Sequence, residues 1–113
     1  MEDIVRKDLV IIGGGPAGLA AALYASRSLL DAGTLEQEAV GGQVILTNEV
    51  DNYPAVPHTD GYSLVEAMRQ QAEDLGANIV MERVTDISVD PETQGFHVTT
   101  SEGAYDARTV ILA

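Results

Sequence analysis

The sequence predicts an α/β fold, a three-layer parallel sheet with a small antiparallel β-meander. Three observations carry that expectation. Leu9 to Ile12 is a short, wholly apolar run rich in β-branched residues, the pattern of a strand covered on both faces of a parallel sheet. It leads directly into three glycines and a run of small helix formers. From Val84 to Asp106 the chain changes to short, partly alternating runs ("VTDISVD", "GFHVTTS", "AYDA") separated by the turn-forming "DPETQG" and "EG".

The elements follow in order. After the Leu9–Ile12 strand, Pro16 sits where a first helical turn tolerates proline. Ala17, Leu19, Ala20, Ala21, Ala22, Leu23 and Ala25 then favour helix to about Leu30. "AGTLE", Ala32 to Glu36, is assigned as the second strand because a βαβ unit requires one there, although Gly33 weakens any strand interior. Residues 37 to 60 show no sustained period and are punctuated by Gly41, Gly42, Asn48, Asn52, Pro54 and Pro57, the mark of a functional or disordered loop. Ser63 to Leu75 reads as a second helix. Leu64, Val65, Met68, Ala72 and Leu75 recur at helical spacing, Ser63 with Glu66 matches a capping box, and Gly76 suits the exit. Asn78 to Met81 is a third strand, the meander follows, and "RTVILA" returns to a buried-strand pattern.

At 113 residues the chain is one domain or part of one. Its charge is unusual: 18 Asp and Glu against six Lys and Arg give −12, and Lys7 is the only lysine. So acidic a surface argues against nucleic acid and against anionic membranes as partners. It fits either a well-solvated acidic protein or one adapted to high salt. The lack of cysteine excludes a disulfide framework, a thiolate metal site and a Cys-x-x-Cys redox pair within these residues. No apolar run approaches the roughly 18 residues of a membrane-spanning helix. The charged start "MEDIVRKD" is unlike a signal peptide, which favours a cytoplasmic protein.

Gly13, Gly15 and Gly18 satisfy G-x-G-x-x-G between a strand and a helix. In that setting the first glycine makes the turn, the second lets backbone approach a pyrophosphate, and the third lets helix and sheet pack closely. The phosphates would rest on the helix N-terminus, where free N–H groups and the positive dipole end favour anions. The loop has no Lys or Arg, so short-range backbone donors must outweigh a diffuse negative field that salt screens over about 8–10 Å. Glu36, at the end of the next strand, stands where an acidic residue accepts hydrogen bonds from adenosine ribose hydroxyls and repels a 2′-phosphate. The sheet is thereby a FAD/NAD(P)-binding Rossmann-like one. Residue chemistry alone does not separate FAD from NAD, since both present a pyrophosphate and an adenosine. A P-loop is excluded because no Gly-Lys-Ser/Thr follows the glycines.

The surrounding stretches do separate them by likeness. "VIIGGGPAGLAAALYASR", "LEQEAVGGQ", "TNEVDNYP" and "ARTVILA" resemble the FAD-binding part of the low-molecular-weight thioredoxin reductase family and its alkyl-hydroperoxide-reductase flavoprotein relatives, over nearly the whole chain from Asp8 to Ala113. Gly41-Gly42-Gln43 followed by Asn52-Tyr53-Pro54 is more specific than the glycine loop, which many flavoproteins share. The resemblance implies that Gly13, Gly14, Gly15, Pro16, Ala17 and Gly18 hold the FAD pyrophosphate and that Glu36, with Gln37 beside it, holds the adenosine ribose. It implies that Gly41, Gly42 and Gln43 lie along the flavin side and that Asn52 reaches towards the isoalloxazine. The Val84 backbone would meet the adenine, and Ala113 would begin the stretch that closes over the cofactor. Two positions depart from the family pattern: Ala55 follows "NYP" where glycine is common, and "AGTLE" replaces a solid aliphatic strand.

In that family the FAD domain is discontinuous. A NADPH-binding domain with the redox-active Cys-x-x-Cys is inserted, and the chain then returns to finish the flavin site. The sequence therefore resembles residues 1–113 of such a discontinuous FAD-binding domain, its N-terminal portion, without the NADPH/Cys-x-x-Cys domain or the returning segment. The implied parent is a cytoplasmic homodimer passing electrons from NADPH to FAD, to a disulfide and on to thioredoxin or a similar redox protein. The 113-residue segment alone is expected to bind cofactor rather than turn over. Two alternatives stay open: a related flavin reductase without Cys-x-x-Cys serving a ferredoxin-type or other acceptor, and a non-catalytic FAD or nucleotide-binding module.

No other residue forms a constellation. His58 and His97 lack partners at metal-ligand or triad spacing and are expected to face solvent, as are Glu66, Glu73, Asp74 and Glu82. By its place in "NYP" Tyr53 is expected near the flavin, while Tyr24 is expected to pack on its helix. No catalytic nucleophile, acid or metal site is expected.

Overall fold

The computed structural model describes residues 4–113. It contains six strands and two helices: β1 (Ile4–Ile12), α1 (Pro16–Arg27), β2 (Ala32–Glu36), α2 (Gly61–Asp74), β3 (Asn78–Met81), β4 (Val84–Val89), β5 (Phe96–Thr100) and β6 (Ala104–Leu112). The strands form a single mixed sheet in the order β3-β2-β1-β6-β5-β4. β1 is parallel to both β2 and β6, and β2 is parallel to β3. The β4–β5 and β5–β6 pairs are antiparallel, so the expected meander is joined to the parallel sheet through β6.

Alternation along β1 builds the three layers. Leu9 and Ile11 point to one face and form a core with Ala22 and Ala25 of α1. Val10 points to the other face, where it packs with Leu35 of β2, Val98 of β5 and Ala107 of β6. The third layer is thus the meander rather than another helix. α2 packs on α1 and buries Leu64, Val65 and Ala72. "AGTLE" does form a strand, because it is paired on both sides; Thr34 and Leu35 are almost fully buried there.

Several element boundaries differ from the sequence expectation, each for a physical reason. β1 begins at Ile4, well before the apolar run, because Ile4 to Lys7 pair with Ala104 to Ala107 of β6. Its charged middle is accommodated at the surface: Lys7 Nζ donates to Asp31 Oδ1 at 2.9 Å. "AYDA" and "RTVILA" are one strand, since β1 runs beside both. α1 stops at Arg27, and Leu29 turns away with φ 59°. The capping box Ser63–Glu66 is not used. α2 starts earlier, at Gly61, and its N-cap is Asp60, whose Oδ1 accepts from the Ser63 N–H at 2.8 Å while the Ser63 hydroxyl donates to Oδ2 at 2.8 Å. Leu75 falls outside the helix and is exposed.

Residues 37 to 60 are mostly irregular, as expected. They hold a 3-10 turn, Gly42–Leu46, and the isolated pairings Val50–Thr59 and Tyr53–Val56. Within the Tyr53–Val56 turn, Ala55 adopts φ 71°, a left-handed conformation that crowds its Cβ against the following carbonyl. Ala55→Gly is therefore expected to stabilise the protein by about 1 kcal/mol, the strain relieved less the entropy glycine adds to the unfolded chain. A urea-unfolding midpoint that stays or falls would contradict this.

Candidate functional site

The glycine loop is built by backbone geometry. Gly13 leaves β1 with φ 112°, a value side chains disfavour, and its N–H donates to Leu35 O at 2.8 Å. A Cβ on Gly18 would collide with the Gly13 carbonyl oxygen, so α1 presses directly on the turn that precedes it. Gly15 is the N-cap of α1, and no side chain caps that end. With Pro16 lacking an N–H, the Ala17 and Gly18 amides head the helix among its unpaired first-turn donors.

Glu36, at the C-terminal end of β2, is the polar centre of the arrangement. Its carboxylate is buried and accepts from the Gly14 N–H at 2.9 Å through Oε1 and from the Glu38 N–H at 2.7 Å through Oε2. Two backbone donors hold the side chain in one orientation and leave further lone pairs for a ligand. Gly41 is fixed behind the loop. Its N–H donates to Gly14 O at 2.6 Å, and a Cβ there would lie 2.5 Å from Val65 Cγ1, while its own φ is 111°.

These elements border a cleft of 870 Å³ at the C-terminal ends of β1, β2 and β6. Of the residues the sequence singles out, Gly13, Glu36, Gln37, Gly42, Gln43, Val84 and Ala113 are in its walls. Gly14 is buried behind Glu36, and Gly41 behind Gly14. Gly15, Pro16, Ala17 and Gly18 are beside the cleft rather than in its wall, with Gly15 against Gly42. Ala113 is anchored by its N–H donating to Ile12 O at 2.9 Å. Asn52 and Tyr53 are on the exposed loop, outside the cleft walls.

The walls also contain residues the sequence did not assign to a site: Ile45 and Leu46 from the 3-10 turn, Ala39, and the carboxylates Glu38 and Glu82. The apolar "VIL" inside an otherwise polar loop was the available signal for the first pair. No Lys, Arg or His is among the wall residues, so an anion here would be met by backbone amides.

Three side chains sit differently from expectation. Glu82 is half-buried, not solvated: Oε1 accepts from Thr100 Oγ1 at 2.8 Å and Oε2 from the Tyr105 hydroxyl at 2.5 Å. His97 is half-buried and pairs with Asp106 Oδ1 at 2.8 Å, because β5 and β6 place the two side by side. Tyr24 is exposed rather than packed, since the buried face of α1 is formed by Gly18, Leu19, Ala22 and Ala25. His58 is exposed as expected, beside Asp51, and Glu66 and Glu73 flank Arg69 on the outer face of α2.

Burial, and after it the bond to Glu82, pushes the Tyr105 phenol up to about 12. The folded value exceeds the unfolded value of about 10, so this contribution to stability is complete below pH ~10 and is lost as pH rises towards ~12. In an alkaline titration followed by phenolate absorbance, one of the four tyrosines is expected to ionise late. Tyr105→Phe should remove that component, and a late phase that persists would assign it elsewhere.

The described residues contain no cluster of three or more side chains suited to a metal ion and no buried side-chain polar atom without a partner. No helix among them is long and apolar enough to cross a membrane. What the cleft offers chemically is orientation: an acceptor carboxylate, amide donors at a helix end and apolar walls.

Comparison with known proteins places this arrangement in context. Residues 7–113 match the family model described as pyridine nucleotide-disulphide oxidoreductase. The chain is 45% identical to the thioredoxin reductase of Peptoclostridium acidaminophilum, an alignment covering 100% of this chain and 35% of the relative. It is 44% identical to that of Treponema pallidum, over 94% of this chain and 34% of the relative. The crystal structure of thioredoxin reductase from Streptococcus pyogenes superposes with a TM-score of 0.89 at 37% identity, covering 96% of this chain and 35% of that one. The chain therefore spans about a third of the length of the relatives it matches.

Proposed function

Because the chain belongs to the pyridine nucleotide-disulphide oxidoreductase family, we propose that it is the FAD-binding portion of a thioredoxin-reductase-like flavoprotein disulfide oxidoreductase. The observation that carries this reading is Glu36, held by two backbone amides at the edge of the cleft and next to an uncapped helix end. An adenosine ribose on the carboxylate and a pyrophosphate on the amides of Gly15, Ala17 and Gly18 would use both features at once.

The remaining site residues take the roles the resemblance implies. Gly13 and Gly14 shape the turn, Pro16 presets the first helical residue, and Gln37 borders the ribose. Gly41, Gly42 and Gln43 would lie along the flavin side, Asn52 would reach towards the isoalloxazine with Tyr53 near it, the Val84 backbone would meet the adenine, and Ala113 would begin the stretch that closes over the cofactor. FAD, when bound, would supply the electron-transfer chemistry between NADPH and the disulfide and thioredoxin of the whole protein. This chain's part is to bind, orient and exclude water; among the described residues no nucleophile or general acid is assigned.

The proposal includes the domain organisation: residues 1–113 form the first part of a discontinuous FAD-binding domain that later segments complete. The outer edge of β6 supports this. β5 pairs with it only as far as Ala107, and Ile111 and Leu112 beyond are exposed on the unpaired half. The same reading makes the parent enzyme a cytoplasmic homodimer with thioredoxin as partner.

The test is reconstitution of the full protein with FAD, followed by its visible spectrum and chromatographic identification of the released cofactor. A flavin spectrum with FAD recovered in near-stoichiometric amount is expected. A colourless protein that takes up NAD but not FAD would overturn the ligand assignment.

A further inference from the structure

Glu82 departs furthest from what its sequence position suggests. It follows β3 directly and is in the cleft wall, as is Val84 two residues on. Its carboxylate is an acceptor only, and both oxygens are engaged by donors from the meander, Thr100 Oγ1 and the Tyr105 hydroxyl. The network continues into the β5–β6 turn. Thr100 Oγ1 accepts from the N–H groups of Glu102 and Gly103, each at 3.1 Å, which orders the β5–β6 turn. The residue between Glu82 and Val84 is tied to the same turn: the Ser101 N–H donates to Arg83 O at 2.9 Å, and the Arg83 N–H donates to Ser101 Oγ at 3.3 Å.

We propose that Glu82 is a positioning residue that fixes the adenosine end of the cleft, by tying the end of β3 to the β5–β6 turn and so holding the Val84 backbone in place. This rests on the adenine-dinucleotide reading given above. The need for such a tie is visible in the ladder itself. Val84 is paired with Thr100, but the register of β4 against β5 shifts between Val84 and Asp86, so the ladder supports Val84 from one side only. Charge-assisted bonds to Glu82 reinforce the Val84–Thr100 pairing and the Arg83–Ser101 bonds, and they are stronger than neutral ones. The Tyr105 phenol, pushed up to about 12, keeps its proton and remains a donor throughout the neutral range.

A tie that acted only on global stability would lower every ligand's affinity together. A positioning residue acts on one end. The experiment compares FAD, ADP (the adenosine half alone) and FMN (the flavin without adenosine) as ligands of the full protein and of Glu82→Gln, Tyr105→Phe, Thr100→Val and Thr100→Ser. Glu82→Gln, Tyr105→Phe and Thr100→Val are each expected to weaken FAD and ADP about tenfold, the scale of one charge-assisted hydrogen bond. FMN affinity and the visible spectrum of bound FAD should stay as in the wild type, and Thr100→Ser, which keeps the hydroxyl, should restore binding. Equal weakening of FMN, or unchanged FAD and ADP affinity, would overturn the role of Glu82. If Glu82→Gln does not fold, Tyr105→Phe and the Thr100 pair decide the matter by the same criteria. A wild-type protein that binds FMN as tightly as FAD, or binds neither FAD nor ADP, would instead remove the dinucleotide reading on which the proposal stands.

Discussion

Gly15→Val is expected to abolish flavin retention while leaving the protein folded. A Cβ at Gly15 would meet only Gly41 O and Gly42 Cα, each at 3.9 Å, which is ordinary contact. The Gly15 backbone is extended, with φ −79° and ψ −171°, so a side chain costs no strain there. The penalty to the fold is that of a poorer helix N-cap, about 1 kcal/mol. The valine branches, however, would fill the space in front of the α1 amides where the pyrophosphate is proposed to rest. We expect at least a hundredfold loss of FAD affinity, the equivalent of about 3 kcal/mol or two charge-assisted hydrogen bonds, with an unchanged circular dichroism spectrum. Gly18→Val is the contrasting variant. Its Cβ would run into the Gly13 carbonyl, so it should fail to fold or lose several kcal/mol. Unchanged flavin content in Gly15→Val would refute the pyrophosphate placement.

Glu36→Ala is expected to reduce both stability and affinity. Removing the carboxylate leaves the buried Gly14 N–H without a partner, which costs about 1–3 kcal/mol. The Glu38 N–H lies at an exposed residue and can turn to water, so it adds little. For the ligand, hydrogen bonds to a charged acceptor are worth about 1.5–3 kcal/mol each, so losing the ribose hydroxyl bonds should weaken FAD by about two orders of magnitude. Urea unfolding and flavin titration measure the two effects separately. If stability falls and FAD affinity does not, Glu36 is only a strut for the glycine loop.

The stretch Leu9 to Gly18 was legible because its signals are local. A β-branched run, glycines at fixed spacing, a proline in the first turn and small helix formers each act within a few residues, and they describe one strand–turn–helix unit. Glu36 was legible for a related reason: the βαβ unit has a nearly fixed length, so an acidic residue at the end of the second strand arrives beside the loop. Its bond to the Gly14 N–H bears out that register. "AGTLE" reads as a poor strand by composition and forms because pairing on both sides outweighs propensity.

Glu82 was illegible. Alone it is a charged residue at the end of a short strand, for which solvent is the ordinary environment. Its partners, Thr100 and Tyr105, are 18 and 23 residues away and flank a turn whose position depends on how the meander folds against the sheet. The same holds for His97, whose neighbour Asp106 is set by the β5–β6 register, and for the early start of β1, which exists only because β6 returns beside it.

The sequence by itself determined the strand–glycine–helix unit, the acidic residue that faces it, and the family likeness that extends this to FAD, because those features are short-range or of fixed length. Only the tertiary structure decided that the third layer is the meander, that β6 is one continuous strand serving both halves of the sheet, and that Glu82 lies in the cleft wall bonded to Thr100 and Tyr105. Strand pairing and side-chain contacts between distant segments have no local signature; their free energy appears only when the segments meet.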